Sequence, residues 1–126
     1  MGSLDYFISV RHEAGSAADS CLVVCLMGEI EKTSFSVIKL CQNDILAAKP
    51  VKVVISFQYV TSIEPVALPL LRQMQGLMRE QNIELRVCQI SSEIKKILLV
   101  DSTVQFDELR ESLSEALQSF SVKKAI

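Results

Sequence analysis

Two hydrophobic periods take turns along the chain. Tyr6-Phe7-Ile8-Ser9-Val10 is rich in aromatic and β-branched residues and predicts a first strand; Glu13 to Ser20, with Gly15 and small polar residues, predicts a loop. The unbroken apolar run Cys21-Leu22-Val23-Val24-Cys25-Leu26-Met27 has the pattern of a strand covered on both faces and closed by Gly28. From Thr33 to Ala48, the apolar residues Phe35, Ile38, Cys41, Ile45 and Ala48 share one helical face, and Pro50 stops the pattern. Val51 to Phe57 is β-branched again, so a parallel strand after a helical crossover is the economical reading.

Beyond that strand, Val66, Ala67, Leu70, Leu71, Met74, Leu77 and Met78 mark one side of a helix, with Arg72, Gln73, Gln75, Arg79 and Glu80 on the other. Glu84 to Cys88 predicts a fourth strand, and Ser91 or Ser92 caps a short helix running through Leu99. A brief strand is expected near Val104 to Phe106. Asp107 is expected to cap a last helix on which Leu109, Leu113, Ala116, Leu117 and Phe120 share a face. The order β, β, α, β, α, β, α, β, α predicts an α/β fold with an open, mostly parallel sheet of four to five strands packed with about four helices. One domain is expected over residues 1–126, its core at about 5–120 and a flexible tail at 121–126.

Composition narrows the function. The 126 residues carry 13 Lys plus Arg against 15 Asp plus Glu, and 49% are hydrophobic. That balance opposes a nucleic-acid reader built on a basic stripe, and the abundant Val, Ile and Leu oppose disorder. No apolar run approaches the ~20 residues of a membrane span, and the first residues lack signal-peptide regions, so a cytoplasmic protein without membrane insertion is expected. Cys21, Cys25, Cys41 and Cys88 contain no C-x-x-C pair and fall inside predicted elements, where cysteine behaves as a small buried hydrophobe.

In an open parallel sheet, ligands sit beyond the carboxyl ends of the strands, here Gly28 to Lys32, Gln58 to Val66 and Gln89 to Glu93. None is glycine-rich, and neither G-x-G-x-x-G nor G-x-x-x-x-G-K-[ST] occurs. His12 is the only histidine, which leaves a Ser or Cys nucleophile with one candidate imidazole at an early strand edge. Glu29, Glu31 and Glu64 could do acid/base work and equally suit solvated turns. The expectation is a protein that is not an enzyme and has no cofactor or metal.

The segment order and local sequences resemble the STAS domain, the fold of anti-sigma factor antagonists. The likeness runs through Gly28-Glu29-Ile30 after the apolar strand, Val51 to Phe57, Val60-Thr61-Ser62-Ile63-Glu64, Ile83 to Cys88, Ser91 to Leu98, and Leu113 to Leu117. At the turn after the third strand the family reads Asp-Ser-Ser-Gly-Leu or Asp-Ser-Thr-Gly-Leu, whose second hydroxyl accepts phosphate from a partner kinase. The corresponding residues here are Glu64-Pro65-Val66-Ala67-Leu68. Val66 stands at the acceptor position and cannot be phosphorylated, so the family switch, which places about −1.5 to −2 charges at a docking surface, is missing at its usual site.

The resemblance implies a regulatory module that binds an anti-sigma factor or related kinase-like ATPase, with Ser62, Glu64, Pro65, Val66, Ala67, Pro69 and Arg72 as the partner-binding residues. A homodimer is compatible with it. The alternatives are an accessory STAS subunit of a membrane transporter and a module for a nucleotide or lipid. Pro65 suits a first helical position, whereas Pro69 removes a backbone bond to the carbonyl four residues back, so the helix should begin with an irregular turn. Glu64 has two readings: a carboxylate favoured at the helix start by roughly 0.3 to 1 kcal/mol, or a partner contact.

Overall fold

The computed structural model describes residues 4–13, 16–100 and 104–120; the tail predicted at 121–126 and Gly15 lie outside them. Five strands pair in chain order: β1 (Leu4–Glu13), β2 (Ser16–Ile30), β3 (Lys52–Ile63), β4 (Glu84–Cys88) and β5 (Leu109–Arg110). β1 runs antiparallel to β2, and the other pairs are parallel. Between them lie α1 (Phe35–Ala48), α2 (Leu68–Glu80) and α3 (Ser92–Val100), and α4 (Leu113–Gln118) follows β5. The α/β fold with a mostly parallel sheet and four helices is the one the sequence predicts.

Because each parallel strand is added beside the last by the same crossover, α1, α2 and α3 fall on one face of the sheet. Their Ile38, Cys41, Ile45, Leu71, Met74, Met78, Ile94 and Leu98 bury against Val24, Leu26, Val53, Ile55, Phe57 and Val87. Among the described residues the opposite face receives α4 alone, through Cys21, Val54, Cys88, Ala116 and Phe120. A helix of six residues cannot hold itself together by propensity. Arg86 fastens its end instead: the guanidinium lies 4.9 Å from the Phe120 ring centroid and donates to the Ser119 hydroxyl at 2.8 Å and carbonyl at 3.0 Å.

Several boundaries depart from the sequence reading. Much of the loop expected at Glu13 to Ser20 is strand: Glu13 lies opposite Ser16, and Ala17 to Ser20 fall in the register shift between that pair and Arg11 opposite Cys21. β3 continues past Phe57 to Ile63, with Phe57, Val60 and Ile63 buried at three-residue intervals. The strand expected near Val104 to Phe106 is a 3-10 turn (Phe106–Glu108) followed by the two-residue β5. Asp107 lies in that turn, and Ser112 caps α4 by accepting from Glu115 N at 3.1 Å. Leu109 belongs to β5, Phe35 and Ala48 of the predicted α1 face are exposed, and Gln75 of the predicted polar face is buried.

Two irregularities explain the burial period of β3. Its register with β2 shifts between Cys25 and Met27 and again between Gly28 and Glu29, each time admitting an extra β3 residue. At the second, Gly28 adopts φ 107 inside a strand that runs on to Ile30 rather than stopping at the glycine. A Cβ is disfavoured in that conformation. Gly28→Ala is expected to cost about 1–2 kcal/mol of unfolding free energy in urea titrations; an unchanged midpoint would show that the backbone relaxes freely there.

Candidate functional site

The carboxyl ends of β2 and β3 lead into two adjacent 3-10 turns, Lys32–Ser34 before α1 and Pro65–Ala67 before α2. Glu64 joins them. Its backbone N donates to the Ile30 carbonyl at 2.8 Å, and its carboxylate Oε1 accepts from Lys32 N at 3.0 Å. Its own carbonyl accepts from Ala67 N at 2.9 Å, closing the second turn. The first turn is closed by Ser34 N donating to the Glu31 carbonyl, and the Ser34 hydroxyl accepts from Glu31 N, both at 2.9 Å. Thr61 Oγ1 donates to the Gly28 carbonyl at 3.3 Å, tying the two strand ends beside the bulge.

The irregular helix start expected from Pro65 and Pro69 is present: the chain passes through the 3-10 turn before α2 begins at Leu68. Glu64 makes no side-chain cap to this turn. Glu64 stands at the N-cap position of the turn, and beside its two sequence readings it has a further role as a cross-loop tether, which the order of residues could not reveal because Lys32 is distant along the chain.

Among the seven predicted site residues, Ser62, Glu64, Pro65, Val66, Pro69 and Arg72 are exposed. Ala67 differs: it is fully buried and packs the turn onto the core, so it offers no surface to a partner. Thr61 and Ser62 lie within β3, before the turn. Val66 is 57% exposed on a turn that runs from buried Ile63 to buried Ala67. Phe35, assigned by periodicity to the core, is 51% exposed at the start of α1, at the same end of the sheet. Its signal was available only in part: it opens the helix, where a residue can satisfy the 3.6-residue period and still lie beyond the packed layer.

The chemistry at this end is that of a surface. Among the described residues no group of three His, Cys, Asp or Glu could hold a metal ion. All four cysteines are buried thiols without a disulfide. Burial pushes Cys41 up to about 12 and Cys88 up to about 11, and raises Cys25, so none of these three is a ready thiolate near neutral pH. At the end of β4, Ser56 Oγ donates to Gln89 Oε1 at 2.7 Å and accepts from Gln58 N at 3.3 Å, which commits the hydroxyl to structure.

The sequence matches no protein-family model and no curated protein. Solved structures do match. An anti-sigma factor antagonist from Mycobacterium paratuberculosis superposes with a TM-score of 0.70 at 17% identity, over 91% of this chain and 93% of that one. The Bacillus cell fate determinant SpoIIAA in its phosphorylated form gives 0.61 at 12% identity, over 87% and 97%. SLC26A9 gives 0.65 at 5% identity, over 90% of this chain and 23% of that one. Identities this low speak to architecture, and on that architecture this chain has the STAS-type fold of the anti-sigma factor antagonists.

Proposed function

We propose that this chain is a non-enzymatic regulatory module that docks an anti-sigma factor or related kinase-like ATPase through Ser62, Glu64, Pro65, Val66, Pro69 and Arg72. The observation carrying this reading is Val66, a large apolar side chain 57% exposed on a turn pinned by Glu64. A rigid apolar anchor with a polar rim, here Glu64 and Arg72, is the composition of a small interface core. Phe35 extends the apolar surface toward α1. With valine in place of a hydroxyl residue, docking at this turn would not be reversed by phosphorylation of the turn itself.

Val66→Asp puts a charge at the centre of that surface. It is expected to weaken partner binding about tenfold or more, or roughly 1.4 kcal/mol, while the circular dichroism spectrum and melting cooperativity stay unchanged. Affinity capture from native lysate with both proteins side by side tests it. A kinase-like ATPase retained by the wild type and lost with the variant supports the proposal; equal retention would sink the site assignment. A second reading is an accessory module of a membrane transporter; that this fold can serve as one part of a larger protein is supported by its match to 23% of the SLC26A9 chain. Among the described residues no helix is long and apolar enough to cross a membrane. Recovery of membrane-complex subunits would favour it.

A further inference from the structure

β1 is the edge of the sheet, hydrogen-bonded to β2 on one side only among the described strands. Natural edges of this length are usually blunted by charge, proline or a bulge in mid-strand. From Tyr6 to Val10 this one has no charge, proline or glycine, and its only described irregularity lies between Arg11 and Glu13. Phe7 is 53% exposed and Val10 51% exposed. The strand therefore presents its outer backbone groups along an apolar centre with its charged residues toward the two ends, and of these groups Tyr6 N is held by the Asp5 carboxylate at 2.8 Å.

We infer that β1 pairs antiparallel with β1 of a second copy about a two-fold axis at Ile8, because that register sets Asp5 opposite Arg11 on both sides of the axis. It also sets Tyr6 opposite Val10, Phe7 opposite Ser9, and Ile8 opposite itself, and brings the two exposed Phe7 side chains into diagonal relation across the axis. Sliding by two residues one way places Asp5 opposite Glu13, a like-charge pair; sliding the other way leaves it opposite Ser9. Only the register centred on Ile8 is self-complementary in charge while covering the apolar middle. Opposed residues of an antiparallel pair share a face, so the helical layers of both copies lie on the same side of one continuous sheet. The antiparallel arrangement points the two Val66 ends in opposite directions, so both stay open and the pairing does not depend on the function proposed for that turn.

Sedimentation velocity from low micromolar to several hundred micromolar, at low salt and at about 0.5 M salt, tests the inference. Wild type is expected to dimerise, less tightly at high salt. Asp5→Arg and Arg11→Asp are each expected to weaken dimerisation about tenfold or more, and the double variant to return within about threefold of wild type. A wild type monomeric throughout, a dimer indifferent to single charge reversal, or a double variant as weak as the singles would each overturn it. Should a charge variant fail to fold, Phe7→Lys, which places a charge at the centre of the edge, is expected to be a folded monomer, and a dimer in that variant would overturn the assignment.

Discussion

Gln75→Met is expected to raise the unfolding free energy by about 1–3 kcal/mol, an unusual direction for a substitution at a fully buried site. Gln75 has no exposed surface and sits on α2 among buried Leu71, Met74 and Met78. Among the described residues neither its Oε1 nor its Nε2 has a hydrogen-bond partner. A primary amide brings a carbonyl acceptor and two donor hydrogens, all satisfied by water in the unfolded chain, so folding discards those bonds without replacing them. Methionine has nearly the same length and volume and no strong polar atom, so it keeps the packing and removes the desolvation cost. For a chain of this size the gain corresponds to a melting midpoint higher by about 3–5 °C per kcal/mol. Gln75→Ala separates the two contributions, because it removes the amide and also leaves a cavity, and should fall below the methionine variant. The check is a urea titration with an unchanged slope; a methionine variant less stable than wild type would show that the amide is paired in solution.

Gln75 also shows where sequence patterning stops. Its neighbours Arg72, Gln73, Arg79 and Glu80 mark a polar face, and residue type alone assigns it to them. The buried arc of α2 is wider than the apolar stripe, since the helix meets both the sheet and α1, so positions 71, 74, 75 and 78 all turn inward. What was legible followed from local periods: the Cys21 to Met27 strand, the body of α1, and the proline-disturbed start of α2 are each written in consecutive residues. What was not legible depends on partners distant in the chain. The full length of β1 and β2 is set by their mutual pairing, the three-residue burial period of β3 by bulges against β2, and the role of Glu64 by Lys32 across the turn. The exposed residues of the candidate site followed from the resemblance to a family turn; the burial of Ala67 followed from packing, which no motif records.

The largest expected loss comes from the carboxylate that grips Arg79 in the last turn of α2. Glu108→Ala should lower the unfolding free energy by about 2–4 kcal/mol, somewhat below the cost of breaking a fully buried pair, because Arg79 keeps some contact with water. The Glu108 carboxylate accepts from Arg79 Nε at 2.9 Å and Nη2 at 2.8 Å, a two-pronged geometry, and from Gln105 N at 3.1 Å. The bond to Glu108 is the main reason that the Arg79 guanidinium holds its proton more tightly than usual. One carboxylate thus closes the 3-10 turn ahead of β5 and anchors it to the C-terminal end of α2, where a cation is also favoured by the helix dipole. Alanine removes all three acceptor contacts and leaves a half-buried guanidinium with less water than it needs. The expected loss should shrink when Arg79 is removed as well, so that Arg79→Met with Glu108→Met costs less than the sum of the two single changes. A coupling energy near zero in that cycle would mean the pair is solvent-separated. A coupling of about 2 kcal/mol or more would identify it as the tie that holds the β5 edge of the sheet to the helical layer.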